Sequence, residues 1–158
     1  MNNMRTGRVH KLAFAVVAAL LVSSCASFQR GWDQHHVDMV AGLINGGQGD
    51  KLAAMSATPF LVDGEIVAMK PDVAAFWNGI VKAGFKVEGA TLTEGSPITD
   101  ASYKQFADTM EVKSFFAQYV KKDARILELR TATSGDRILL IFRDSWGSKT
   151  MYGFKGPF

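Results

Sequence analysis

Cysteine is almost absent: the 158-residue chain has one. A single thiol closes no intrachain disulfide and does not by itself make a zinc site of the usual kind. Proline is scarce at four residues, and the 15 glycines follow no period. Collagen is thereby excluded, and low-complexity sequence is disfavoured. No apolar run approaches the about 20 residues of a spanning helix. The longest, Leu12 to Val22, has eleven. A charge bias is also missing once the chain is divided. Residues 1–24 hold Arg5, Arg8 and Lys11 and no acid, which leaves 15 basic and 15 acidic side chains on residues 25–158. The overall pI of 9.1 thus belongs to the leader. A neutral body has no global electrostatic reason to seek nucleic acid. At 47% apolar and 21% charged, the chain has the composition of an ordinary globular protein, and its length suits one domain.

The leader carries the strongest signal. Its positive start is followed by the eleven-residue apolar run and then by Ser23, Ser24 and Cys25. A secretory h-region of about 7–15 residues ending in small side chains has this form. Val22-Ser23-Ser24-Cys25 resembles the lipobox of bacterial lipoproteins. The resemblance implies cleavage between Ser24 and Cys25 and a thioether from Cys25 to diacylglycerol, with membrane lipid as the partner of the acylated residue. It also implies a location in the bacterial cell envelope. Ala26, a non-acidic residue after the cysteine, favours the periplasmic face of the outer membrane over the inner membrane. An ordinary signal-peptidase cut after Ala26 is the competing expectation, and it would release a cysteine-free soluble protein. The organisation expected is a signal peptide over 1–24, a lipidated tether over 25–31 and a single domain over 32–158.

Within that domain, Asp33 is read as an N-cap. Val37, Val40, Ala41 and Ile44 follow the i, i+3, i+4, i+7 spacing of an amphipathic helix. A short second helix is expected from Asp50 to Met55. Phe60-Leu61-Val62, Asp63-Gly64 and Glu65 to Met69 read as a hairpin with a type I′ turn. Pro71 opens a helix carrying Val73, Phe76, Trp77, Ile80 and Val81 on one face, and Gly84 ends it. Residues 85–94 alternate as a strand with a slip at Gly89, and Gly95-Ser96-Pro97 reads as a break. A short helix over 100–107 and a helical stripe through Val112, Phe115, Phe116, Tyr119 and Val120 follow. Three strands are expected over 125–131, 137–143 and 150–155. Ile138 to Phe142 is apolar throughout, which puts that strand at the centre with both faces covered. The fold class is α+β, with N-terminal helices packed on a curved antiparallel sheet.

This order of elements resembles the NTF2-like (SnoaL-like) superfamily over roughly residues 33–158, through the Phe60-Leu61-Val62-Asp63-Gly64-Glu65 hairpin before the Pro71 helix. The resemblance implies a cystatin-like cone of sheet and helix around a cavity, used for catalysis, small ligands or partners. Residues 100–120 depart from the family by reading as helix where strand is usual.

Chemistry-bearing motifs are few. Gly42 to Gly47 has no lysine and is no P-loop. Ser134-Gly135-Asp136 is no nucleophile elbow. His35 and His36 are adjacent, so on a helix they point about 100° apart and suit a shared metal poorly. They read as exposed polar residues. Asp63 and Glu65 are loop acids, and Asp136 and Asp144 are read as serving turns. No metal, cofactor or catalytic residue is expected. An apolar pocket lined by Trp77, Phe115 and Tyr119 is the candidate site, and Trp146 is either tucked onto the sheet or exposed for contact. The function expected is a non-catalytic envelope lipoprotein whose domain binds an apolar small ligand or a partner protein. Two alternatives stand beside it: an NTF2-like enzyme with a cavity carboxylate, and an accessory subunit of an envelope complex.

Overall fold

The computed structural model describes residues 27–145 and 147–158. Residues 27–33, the described part of the first of two compact units, are helical. Within this stretch the Phe28 and Trp32 rings meet edge to face at 6.1 Å, and Gln29 donates to the Asp33 carboxylate at 3.1 Å. These residues are helical where a tether was expected over 27–31. Asp33 is therefore not an N-cap.

The second unit, residues 34–158, is α+β. Helix α1 covers 34–45, and Val37, Val40, Ala41 and Ile44 are its buried stripe. Helix α2 (Gly49–Met55) leads into strand β1 (Ser56–Val62) and the short β2 (Glu65–Val67). Asp63 and Gly64 make the turn between them with φ of +51° and +99°. Two positive φ values are what a type I′ turn requires, and Asp and Gly tolerate them. Helix α3 (Lys70–Lys82) has Pro71 in its first turn and buries Val73 and Trp77. Strand β3 (Thr91–Pro97) precedes a 3-10 turn (Ser102–Gln105) and helix α4 (Met110–Gln118). Strands β4 (Arg125–Arg130), β5 (Arg137–Ser145) and β6 (Ser148–Lys155) complete the sheet.

The six strands lie in the order β2-β1-β6-β5-β4-β3. All neighbours are antiparallel except β1 and β6, which run parallel. The expected antiparallel sheet is therefore mixed, because β6 inserts between β5 and the early hairpin. Gly153 sits in the middle of that insertion, opposite Leu61 on β1 and Ile141 on β5. A Cβ at this position would stand 3.0 Å from Ile141 Cδ1 and 3.1 Å from the Leu61 carbonyl oxygen. A larger residue would require Ile141 or Leu61 to give way by a few tenths of an ångström.

Ile138 to Phe142 is fully buried, and the covering explains why. Ile138, Leu140 and Phe142 face the layer of α1, α2 and α3, together with Leu127, Leu129, Met151 and Phe154. Leu139 and Ile141 face the other way, with Leu61, Ile126 and Tyr152, against the layer of the 3-10 turn and α4. Each of these apolar side chains contributes about 1.5–3 kcal/mol relative to exposure. The helical reading of 100–120 thus supplies a second layer on the far face of the sheet.

Two readings of the middle of the chain are corrected. Residues 85–90 form no strand, and the register slip lies between Leu92 and Glu94 rather than at Gly89. The Asn45 side chain pairs with Val87 in both directions, donating to its carbonyl at 3.0 Å and accepting from its N–H at 2.7 Å. A helix side chain thus takes the place of a neighbouring strand. Gly95-Ser96-Pro97, read as a break, belongs to β3, which pairs with β4 as far as Pro97 opposite Arg125. Proline is tolerated there because β3 is an edge strand.

Candidate functional site

The expected pocket residues are divided by the sheet. Trp77 is completely buried in the layer of α1 to α3, while Phe115 belongs to the core on the opposite face. Trp77 packs on Phe60 at 5.8 Å, Phe76 at 4.9 Å and Phe154 at 5.4 Å. Its indole N–H donates to Ser56 Oγ at 2.8 Å. Trp77 is thus packed among aromatic rings in the core on this face of the sheet.

Phe115 and Tyr119 do come together, with ring centroids 5.7 Å apart. The Thr109 side chain caps α4 by accepting from the Val112 N–H at 3.3 Å. Val112, Phe115 and Phe116 then press one side of the helix onto the sheet. The ends of α4 stay open: Met110 is 70% exposed and Tyr119 43%. Facing them is the edge hairpin, where Ile66 is 40% exposed and Met69, just beyond it, 61%. Between α4 and the hairpin runs an open groove of about 570 Å³, lined by Pro59, Ile66, Ala68, Met110, Phe115 and Tyr119. Large apolar side chains scattered singly on a surface carry no message, but several converging on one groove mark a contact site. Helical spacing identified Phe115 and Tyr119. Ile66 and Met110 were missed; their signal was an apolar residue on the short strand after the Asp63-Gly64 turn and another directly after a helix cap.

A separate polar cleft of about 330 Å³ opens beside Glu128, Arg137 and Phe158. Arg137 grips Glu128 with two hydrogen bonds, from Nε at 3.0 Å and Nη2 at 2.7 Å. Thr93 Oγ1 adds a third at 3.2 Å, and the Phe158 ring lies 5.0 Å from the guanidinium carbon. The Arg137 hydrogen bonds, helped by its charge and by Thr93, hold the Glu128 carboxyl below its ordinary 4.5 against the opposing effect of burial. A general base for proton abstraction gains from displacement in the other direction. The sign has a consequence for stability. A carboxylate with a depressed folded-state value stabilises the fold above its unfolded value, and that contribution disappears as pH falls through the folded one. Glu128→Gln is therefore expected to melt below the wild type at pH 7. The gap closes as pH falls below 4.5. Thermal melts of the two proteins from about pH 2.5 to about pH 7, which spans the carboxylate range, check this.

His36 is buried, contrary to its reading as an exposed residue. Its Nε2 lies 2.8 Å from Asp144 Oδ2, and its ring packs over Phe142 at 4.6 Å. Asp144 thus fastens α1 to β5 instead of serving a turn. The pairing joins residues 108 positions apart, which no local pattern announces. Asp63 keeps its turn role and accepts from the Gly156 N–H at 2.7 Å. Asp136 accepts from the Ser134 hydroxyl in the β4–β5 turn. Among the described residues, no three His, Cys, Asp or Glu side chains cluster in a way that would hold a metal ion. Ser24, Cys25 and Trp146 lie outside the described residues. No family model matches the chain, and no curated protein matches it significantly.

Proposed function

We propose that this chain is a bacterial envelope lipoprotein, held through Cys25, whose α+β domain docks an apolar segment of a partner protein. The observation that carries the docking role is the groove between α4 and the edge hairpin, with Ile66, Met110 and Tyr119 exposed along it. Its openness favours a polypeptide over a small molecule, since small-ligand sites enclose most of their ligand. A strand edge beside an apolar groove also offers main-chain hydrogen bonds together with side-chain pockets. The ring packing around Trp77 and the lowered Glu128 carboxyl favour a binding role over proton-transfer catalysis. The kinship with the NTF2-like superfamily is proposed on element order and on the Phe60-to-Glu65 hairpin before the Pro71 helix.

A photo-crosslinking residue placed at Gln118 of the full-length protein in the producing bacterium tests the docking role. A discrete adduct to one protein is expected, and it should vanish when Met110→Lys and Tyr119→Lys are added. Persistence of the adduct in that variant would overturn the groove as the docking site. Native mass spectrometry of the detergent-extracted protein tests the rival. An apolar small molecule retained by the wild type and lost from the variant would replace the partner protein with a small ligand.

A further inference from the structure

Helix α4 has a second cleft on its other side. At 3.6 residues per turn, Lys113, Phe116 and Ala117 fall about half a turn away from Glu111, Ser114, Phe115 and Gln118, which face the apolar groove. This cleft encloses about 640 Å³ between α4 and residues 98–104. Its floor is apolar. Phe116 and Val120 are buried, and Ile98 and Tyr103 are half-buried. Its rim is cationic: Lys104, Lys113 and Lys122 stand around the opening, and Asp100 is the acid among the lining residues. Lys104 shares its charge with Asp108 at 3.4 Å, but both side chains are more than half exposed. Such a pair is weak and readily exchanged for another anion. Asp123, next to Lys122, is held by Arg143 through two hydrogen bonds of 2.8 and 2.9 Å. It is thereby occupied elsewhere.

An apolar floor under a rim of ammonium groups has the chemistry of a receptor for a molecule of two halves. We infer that this cleft binds an anionic amphiphile, an acyl chain that carries a phosphate or carboxylate head. The chain lies along Phe116, Val120 and Ile98, and the head lies among Lys104, Lys113 and Lys122. The inference rests on the cleft alone and does not require the anchor at Cys25. Either a free single-chain amphiphile or the headgroup of a bilayer lipid can supply this chemistry.

The test is lysine footprinting by mass spectrometry on the full-length protein in a non-ionic detergent. Octyl phosphate is expected to slow acetylation of Lys104, Lys113 and Lys122 while Lys51 and Lys82 react as before. Octanol or inorganic phosphate at the same concentration should leave all five unchanged. Nanodiscs of phosphatidylglycerol, compared with phosphatidylcholine, provide the bilayer arm. Protection there without protection by octyl phosphate assigns the head to a membrane lipid. The triple variant Lys104→Gln, Lys113→Gln, Lys122→Gln should lose about tenfold in octyl phosphate affinity, equivalent to about 1.4 kcal/mol. Ala117→Trp, which fills the cleft and leaves every charge in place, should also abolish protection. Both variants alter exposed positions, and their melting curves verify folding. Protection by inorganic phosphate equal to that by octyl phosphate would overturn the proposal. So would undiminished binding by the Ala117→Trp protein, or no protection in any arm.

Discussion

Cys25→Ser is expected to remove the protein from the membrane fraction entirely while the α+β domain stays folded. In the proposed anchor the Cys25 sulfur would be the nucleophile that takes the lipid, and a serine hydroxyl would not replace it. Each buried methylene of an attached chain contributes about 0.8 kcal/mol, so two chains hold a protein where one holds it only marginally. Loss of both converts firm retention into release, an effect of many orders of magnitude. The domain has no comparable stake in this residue: residues 34–158 contain no cysteine, and the two buried clusters described above are drawn from them. Fractionation with precursor processing followed by immunoblot checks the first half, and a melt of the released protein checks the second. A mutant still recovered with the membrane, at unchanged precursor size ratio, contradicts the anchor. The same melt of the wild type with and without reductant should coincide, since no disulfide exists to be lost.

Trp77→Ala is expected to cost about 3–5 kcal/mol, the range for removing a large aromatic from a packed interior. That is a large share of the about 5–15 kcal/mol that holds a domain together. Trp77 combines three aromatic neighbours with a buried hydrogen bond. Its partner, Ser56, in turn donates to the Leu52 carbonyl at 2.8 Å. Lys70 donates to the carbonyls of Ala53 and Ser56 at 2.7 and 3.0 Å, which covers the open end of α2. One indole thus ties α3 to the junction of α2 and β1. Trp77→Phe keeps most of the volume and gives up the hydrogen bond, so it should cost less than Trp77→Ala. Ser56→Ala leaves the indole N–H buried without its acceptor, and about 1–3 kcal/mol is expected for that. Urea titrations of the three variants give the order directly. Equal midpoints for Trp77→Ala and wild type would refute the packing account.

The parts of this fold that were legible in the sequence are those decided within a few residues. The stripe Val37, Val40, Ala41 and Ile44 encodes a helix in its own spacing. Asp63-Gly64 encodes a turn because few other pairs accept two positive φ values. The unbroken run from Ile138 to Phe142 encodes a strand covered on both faces. What was not legible is decided at long range. Residues 85–90 alternate like a strand, yet Asn45 satisfies Val87 from a helix 42 positions away. Gln34 likewise accepts from the Leu92 N–H at 2.8 Å. Pro97 looked like a breaker until β3 proved to be an edge. The grouping of Trp77 with Phe115 and Tyr119 failed for a similar reason: helical spacing says that a residue is buried, and not on which side of a sheet.

The parallel seam between β1 and β6 has a consequence for the order of events during synthesis. The hairpin around Asp63 is made early, but its lateral neighbour arrives about ninety residues later, when Phe154 comes to lie beside Val62. Until then the sheet exists as two fragments with raw borders, the β1–β2 ribbon and the β3–β4–β5 meander. Closing so long a loop is slow compared with forming local pairs. A chain synthesised only as far as β5 therefore lacks the strand that bridges the two borders, and the eight residues of β6 are the stitch that joins them.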